Sequence, residues 1–220
     1  MTDHEILRVF TGPDGEGGNL LGVVLDGPSV PGEAARQRLA NELGYSETVF
    51  VDDPGRGVVD IYTPGTRLPF AGHPLIGTAW LLREHGHQLD TLRPPAGPVP
   101  SWTADGLTWL RADPAWATGR RTERFPSPAE VEALPSPPPG EGWLYAWAWA
   151  DQAAAKVRAR GFPRRPDGVI AEDEATGAAA IALTAELRRG LDIRQGAASR
   201  LLTRYEDSGL VCLAGRVTRA

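Results

Sequence analysis

I-Y-T-P-G-T-R-L-P-F-A-G-H-P-L-I-G-T-A at 61–79 and G-F-P-R-R-P-D-G-V-I-A-E-D-E-A-T-G-A-A at 161–179 are two versions of one unit. Laid over each other without gaps at an offset of 100 positions, Tyr62 meets Phe162, Phe70 meets Ile170 and His73 meets Asp173. Gly77 then meets Gly177, and Ala79 meets Ala179. Each copy predicts a strand, a turn, a polar signature and then a buried helix. The helices offer water no polar face at their starts. L-I-G-T-A-W-L-L-R-E-H-G from Leu75 is apolar for two turns, and A-A-A-I-A-L-T-A-E-L is apolar until Arg188, Arg189 and Gly190 close it. Such a helix has to be wrapped, so each half is expected to curl a sheet around its own. With the halves facing, the two helix N-termini point into the crevice between them, with His73 opposite Asp173. Their unpaired N–H groups and partial positive charge suit a carboxylate or phosphate, so a small anionic ligand is expected.

Around this repeat the elements read readily. I-L-R-V-F and L-L-G-V-V-L-D are strands flanking the glycine-rich T-G-P-D-G-E-G-G-N, and E-A-A-R-Q-R-L-A-N-E-L is a helix closed by Gly44. T-V-F-V-D-D and G-V-V-D-I-Y are strands. The Pro- and Gly-rich region from Pro94 to Gly142 reads as a linker, dividing the chain into halves at 1–100 and 101–220, with exchange of terminal segments between them allowed. W-L-Y-A-W-A-W-A at 143–150 reads as a strand with Trp143, Tyr145, Trp147 and Trp149 on one face, a core, a cleft wall or a dimer surface.

A net charge of -5 gives no footprint for nucleic acid and no polybasic patch for a membrane surface. The apolar runs are too short to span a bilayer, the first residues carry no signal-peptide pattern, and Cys212, the one cysteine, is expected in a buried strand. A reduced, cytoplasmic protein is expected. Gly12–Asn19 lacks the residues of a P-loop and reads as a turn lining the cleft, with Asn19 a ligand contact. His85 and His87 form H-x-H without a third ligand, so no metal site is expected.

The chain resembles the phenazine-biosynthesis isomerase (PhzF-like) family, relatives of diaminopimelate epimerase. The resemblance rests on G-G-N-L-L-G-V-V-L at 17–25, L-G-Y-S-E-T-V-F-V at 43–51, Y-T-P-G-T-R-L-P-F-A-G-H-P at 62–74, E-D-E-A-T-G-A-A-A at 172–180 and Q-G-A-A-S-R-L at 195–201. It implies an α+β fold of two pseudo-symmetric halves, each a mixed, mostly antiparallel sheet curled around a buried helix, with the active site between them. It implies a cofactor-free proton shift on a small carboxylated metabolite, with Glu47 carrying the proton and His73 and Asp173 completing the catalytic set. Substrate contacts are implied at Asn19, Gly72, Gly77, Thr176, Gly177 and Ser199, and a homodimer is implied. A carboxylate suits this work when desolvation brings its pKa towards the working pH, and Glu47 precedes an apolar run.

The chain also departs from that pattern. Glu174 stands where proline is usual and Ala178 where serine is usual. Asp60 and Arg67 reverse the signs of a usual pair, so a swapped ion pair is expected. The chain is short between Leu107 and Gly142. Glu172 is expected to be structural. Other readings remain open here: a cyclase or dehydratase using the same glutamate, a two-lobed binding or interaction protein without turnover, and a serine hydrolase of Ser46, His73 and Asp173, which lacks a G-x-S-x-G elbow. A two-thiol epimerase is excluded by the single Cys212.

Overall fold

The computed structural model describes residues 3–117, 121–164 and 168–220; Arg165, Pro166 and Asp167 of the second repeat copy lie outside them. The chain lays down β1 (Glu5–Thr11), β2 (Asn19–Val24), α1 (Glu33–Leu43), β3 (Glu47–Asp53), β4 (Val58–Tyr62), β5 (Arg67–Leu68) and the first apolar helix, α2 (Gly72–Glu84). There follow β6 (Thr91–Leu92), β7 (Val99–Ala104), β8 (Leu107–Ala112), β9 (Arg121–Arg124), α3 (Pro128–Glu132), β10 (Leu144–Asp151) and β11 (Lys156–Phe162). The second apolar helix is α4 (Gly177–Leu187), and β12 (Asp192–Gln195), β13 (Ser199–Tyr205) and β14 (Val211–Arg219) complete the fold.

The strands form one connected sheet in the order β5-β4-β3-β2-β1-β14-β13-β12-β11-β10-β9, with β8 also on β14 and continuing through β7 to β6. Three pairings are parallel, β2–β3, β9–β10 and β11–β12, and the other strand pairs are antiparallel. The fold is therefore the mixed, mostly antiparallel α+β arrangement expected, and the sheet wraps both helices. Leu75, Ile76, Leu81 and Leu82 of α2 are fully buried against β1, β2, β8 and β14. Each contributes about 1.5–3 kcal/mol from removing its side chain from water. α4, with Ala179, Ala180, Ile181 and Leu183 buried, packs on β13 and β14.

β14 joins the two halves. Val211–Ala214 pair with β8 and β13, while Arg216–Arg219 pair with β1. Cys212 is a buried β14 residue as expected, and burial, followed by the neighbouring Glu206, pushes its thiol up to about 11.

Two expectations need correction. Pro94–Gly142 is not a linker: it holds β7, β8, β9 and α3. Its Pro and Gly content hides a tight hairpin, S-W-T-A-D-G-L-T-W-L, turned by Asp105 and Gly106, both with positive φ as a two-residue hairpin turn demands. Trp143 does not share a strand face with Tyr145 and Trp147: it precedes β10, has φ 55 and is 42% exposed. Tyr145 and Trp147 do enter the core beside α4, while Leu144, Ala146 and Ala148 bury the opposite face beneath Val131 of α3.

The swapped pair is present. Arg67 Nε donates to Asp60 Oδ1 at 2.8 Å, and Asp60 is 6% exposed. Asp60 also receives Arg36 Nη1 at 3.1 Å and the Tyr62 hydroxyl at 2.9 Å. Burial, then the bond to Asp60, raises the Tyr62 phenol above its ordinary range. Arg36 is further held by Asp52 and by the carbonyls of Gly27 and Val30, so this corner is a satisfied charge network tying α1 to β3 and β4.

Candidate active site

Glu47 is the first residue of β3, at the end of the strand where the buried Thr48–Val51 run begins. β2 runs parallel beside it with Leu21 opposite Glu47, so Asn19, two residues earlier on the same face, lies at the same end of the sheet. His73 occupies the first turn of α2, where Pro74 removes one backbone donor and confines the chain entering the helix. These elements bring His73 Nδ1 within 2.7 Å of Glu47 Oε2, with side-chain exposures of 4% and 18%. The other ring nitrogen, Nε2, is buried and has no hydrogen-bond partner among the described residues. The expectation set His73 opposite Asp173; the structure makes it the partner of Glu47.

Asp173 lies beside α4 on the other side of the junction. Its Oδ1 receives Asn19 Nδ2 at 2.6 Å, and its Oδ2 receives the Thr176 hydroxyl at 2.6 Å. Burial pushes its carboxyl well above the ordinary aspartate range, against the pull of those two donors. The negative charge of Glu47 adds to the rise and His73 opposes it, so the three groups share one electrostatic environment. Gln195 supports this arrangement. Its Oε1 accepts from Thr176 N and from the buried Tyr145 hydroxyl, and its Nε2 donates to Asp173 O and Thr176 Oγ1. The Thr176 hydroxyl, receiving from Gln195, is thereby turned to donate to Asp173.

The helix ends meet as the repeat implied. A Cβ built on Gly177 would lie 3.3 Å from His73 N, and one on Gly72 would lie 3.8 Å from Gly177 Cα. Small residues at both positions let the two N-termini, each with its partial positive charge, converge. Beneath them sits Phe10. A bulge in β1, at the register shift between Val9 and Thr11, puts Phe10 at φ 71, a conformation rare for a bulky residue. The bulge aims its ring at His73, 6.4 Å between centroids, and against Gly215, where a Cβ would sit 2.2 Å from the ring.

Of the residues expected at the site, Glu47, His73, Asp173, Asn19, Gly72, Thr176 and Gly177 gather here. Gly77 does not: a Cβ there would lie 2.4 Å from Leu21 Cδ2 and 2.8 Å from Val9 Cγ2, so its smallness serves helix-on-sheet packing. Ser199 is fully buried, with its hydroxyl accepting from Gly18 N and donating to Glu174. Glu172 turns outward to Arg160, a two-point bond of 2.8 and 2.6 Å, as its structural reading requires. The glycine-rich turn packs backbone to backbone on residues 196–199; a Cβ on Gly17 would lie 2.7 Å from Ser199 N. Sequence reasoning missed Phe10 and Gln195, and placed Tyr145 on a buried strand face without its bond to Gln195. Gln195 had a signal, as the first residue of Q-G-A-A-S-R-L.

A sheet curled around two helices that meet N-terminus to N-terminus is the architecture of the PhzF and diaminopimelate epimerase-like proteins. Residues 7–105 match the family model described as phenazine biosynthesis-like protein, PhzC-PhzF, so that stretch is PhzF-like in sequence as well as in fold. A trans-2,3-dihydro-3-hydroxyanthranilate isomerase of Pseudomonas fluorescens is 41% identical over 88 residues, 39% of this chain and 31% of the relative. An uncharacterized isomerase of Mesorhizobium japonicum is 36% identical over 128 residues, 54% of this chain and 39% of the relative. The chain thus matches 31% and 39% of the length of these curated relatives. A crystal structure of a PhzC/PhzF protein from Clostridium difficile superimposes with a TM-score of 0.77 at 16% identity, over 99% of this chain and 96% of that one. Among the described residues no helix is long and apolar enough to cross a membrane.

Proposed function

We propose that this chain is an isomerase that shifts a proton between carbons of a small carboxylated metabolite without a cofactor, with Glu47 as the acid and base. The observation that carries this is the 2.7 Å Glu47–His73 bond at the junction of two helix N-termini, facing the buried Asp173. A C–H beside an electron-withdrawing group loses its proton to Glu47; the electron pair delocalises into the substrate, and the same carboxyl returns the proton at a second carbon. His73 holds one oxygen of Glu47 and so orients the other. Asp173, fixed by Asn19 and Thr176, is placed to bind a substrate hydroxyl or amine. The converging helix ends favour the substrate carboxylate. The named activity of the Pseudomonas fluorescens relative supplies the first candidate, trans-2,3-dihydro-3-hydroxyanthranilate. The same reading carries a homodimer, checked by sedimentation.

One observation favours a binding protein without turnover: Ala178 puts a methyl in the first turn of α4, at the position where the resemblance implies serine. A cyclase or dehydratase would begin with the same proton removal. Incubation of the candidate substrate in D₂O, followed by proton NMR, separates these readings. Carbon-bound deuterium with the wild type and none with Glu47→Gln supports the proposal. Exchange surviving in Glu47→Gln removes Glu47 from the role. Ligand-induced shifts without any exchange favour the binding protein, and a ring-closed or dehydrated product identifies the third outcome.

A further inference from the structure

We propose that Glu174 is a positioning residue that sets Asp173 through a closed ring of three hydrogen bonds and two backbone links spanning both halves; its consequence for rate rests on the proton-shift reading. Glu174 directly follows Asp173, but its carboxylate turns to the loop at 196–199. Oε1 receives the Ser199 hydroxyl at 2.9 Å and Ala198 N at 3.2 Å, and Ala197 N lies 3.0 Å from both oxygens. Ser199 Oγ in turn accepts Gly18 N at 2.8 Å. Gly18 leads into Asn19, whose Nδ2 donates to Asp173 Oδ1 at 2.6 Å and to Ala175 O at 2.8 Å. The path Asp173, Glu174, Ser199, Gly18, Asn19, Asp173 returns to its start.

The packing around the ring leaves it little freedom. The carboxylate fills the space where Gly196 has no side chain; a Cβ there would lie 2.2 Å from Oε2. Ser199 is fully buried, so without Glu174 its hydroxyl and the N–H of Ala197 would lose their acceptor. Since Ser199 holds Gly18, loosening Ser199 frees the backbone that carries Asn19, the donor on Asp173 Oδ1. On the other side of Asp173, Glu172 is tied to Arg160. Asp173 is thus set between two anchored neighbours, and Glu174 is the one whose anchorage leads back to it. A carboxylate–donor bond of this kind is charge-assisted and directional, which suits it to orienting.

The test uses Glu174→Ala and Ser199→Ala, with Glu47→Gln as the comparison. The first readout, which needs no substrate, is the side-chain NH₂ signal of Asn19 in a ¹⁵N-labelled protein. Both ring variants are expected to move this signal towards that of a free amide, and Glu47→Gln, which acts on Asp173 only through charge, is expected to move it less and to keep it that of a bonded amide. The second readout is deuterium exchange into the candidate substrate, expected to fall roughly 10- to 100-fold in both ring variants through misplacement of Asp173. An Asn19 signal unmoved in Ser199→Ala, which keeps the bonds from Glu174 to Ala197 and Ala198, overturns the proposal even if Glu174→Ala fails to fold. A rate loss with no movement at Asn19 overturns it as well. Absence of exchange in the wild type sinks the proton-shift reading alone, and the NMR signal still decides whether the ring sets Asp173.

Discussion

Glu47 Oε2 and His73 Nδ1 lie 2.7 Å apart, joining the first residue of a sheet strand to the first turn of the helix which that sheet wraps. Both belong to the stretch matched by the family model, so this hydrogen-bonded pair is assembled within one half and Asp173 is brought to it by the other. On the proposed reading Glu47 moves a proton, and the bond to His73 would fix its orientation before a substrate arrives. Replacing Glu47 by Gln keeps the shape and a bond to the imidazole but removes the basic oxygen. Exchange of substrate C–H for deuterium should fall by about 10²–10⁴-fold, with an unchanged circular dichroism spectrum.

Asp173 gives a pH-dependent prediction. Its carboxyl titrates above the ordinary aspartate range in the folded state, so the folded protein binds the proton more tightly than the unfolded chain. The stability this gives is present at low pH and is lost as pH rises from the ordinary range, near 3.9, towards the raised folded value. Asp173→Asn sets its NH₂ against one of the two donors, Asn19 or Thr176, at a fixed cost. It should nonetheless gain stability relative to the wild type as the pH rises from about 4 to 7. Urea unfolding at a series of pH values measures it. The same variant should lose deuterium exchange, because a neutral amide replaces the carboxylate.

The Asp60 network separates buried from exposed charge. Asp60→Ala leaves the buried Arg36 with Asp52 as its remaining carboxylate and strips the Tyr62 hydroxyl of its acceptor, so it should cost about 3 kcal/mol in urea unfolding. Arg67→Ala removes a side chain that is 42% exposed and should cost under about 1 kcal/mol. Equal losses would mean that Arg67, rather than Arg36, is the cation Asp60 depends on.

Gly77→Ala tests whether that glycine packs or binds. Its added methyl meets Leu21 and Val9, an overpacking expected to cost about 1–3 kcal/mol in thermal unfolding. The KM for the candidate substrate should stay within about twofold, a change worth under half a kcal/mol. A large rise in KM with stability intact would return Gly77 to the binding site.

The two helices were legible because their physics is local: an apolar run entered through a polar signature and ended by basic residues or glycine has few alternatives. The offset between His73 and Asp173 followed from the same repeat. The β7–β8 hairpin was hidden by composition, since the prolines around it outweighed Asp105-Gly106, the pair that shapes the turn. The partner of His73 lay beyond reach, because repeat symmetry placed it opposite Asp173 while strand register put Glu47 nearer. Phe10 carries no mark in the sequence at all: nothing in I-L-R-V-F announces a bulge, and only the pairing of β1 with β14 reveals it. Glu174 read as a departure from a pattern, and its use became visible only when the loop at 196–199 was seen folded onto it.

β14 has a consequence for how the chain is made. Leu213 of this strand reaches Gly72 at the start of α2, yet 127 positions separate the end of α2 at Glu84 from Val211. At roughly 5–20 residues per second, a ribosome needs on the order of 6–25 s to cover that distance. Throughout that interval the nascent first half holds its most apolar helix with one wall of its cage still unmade, an opening that a chaperone would have to shield.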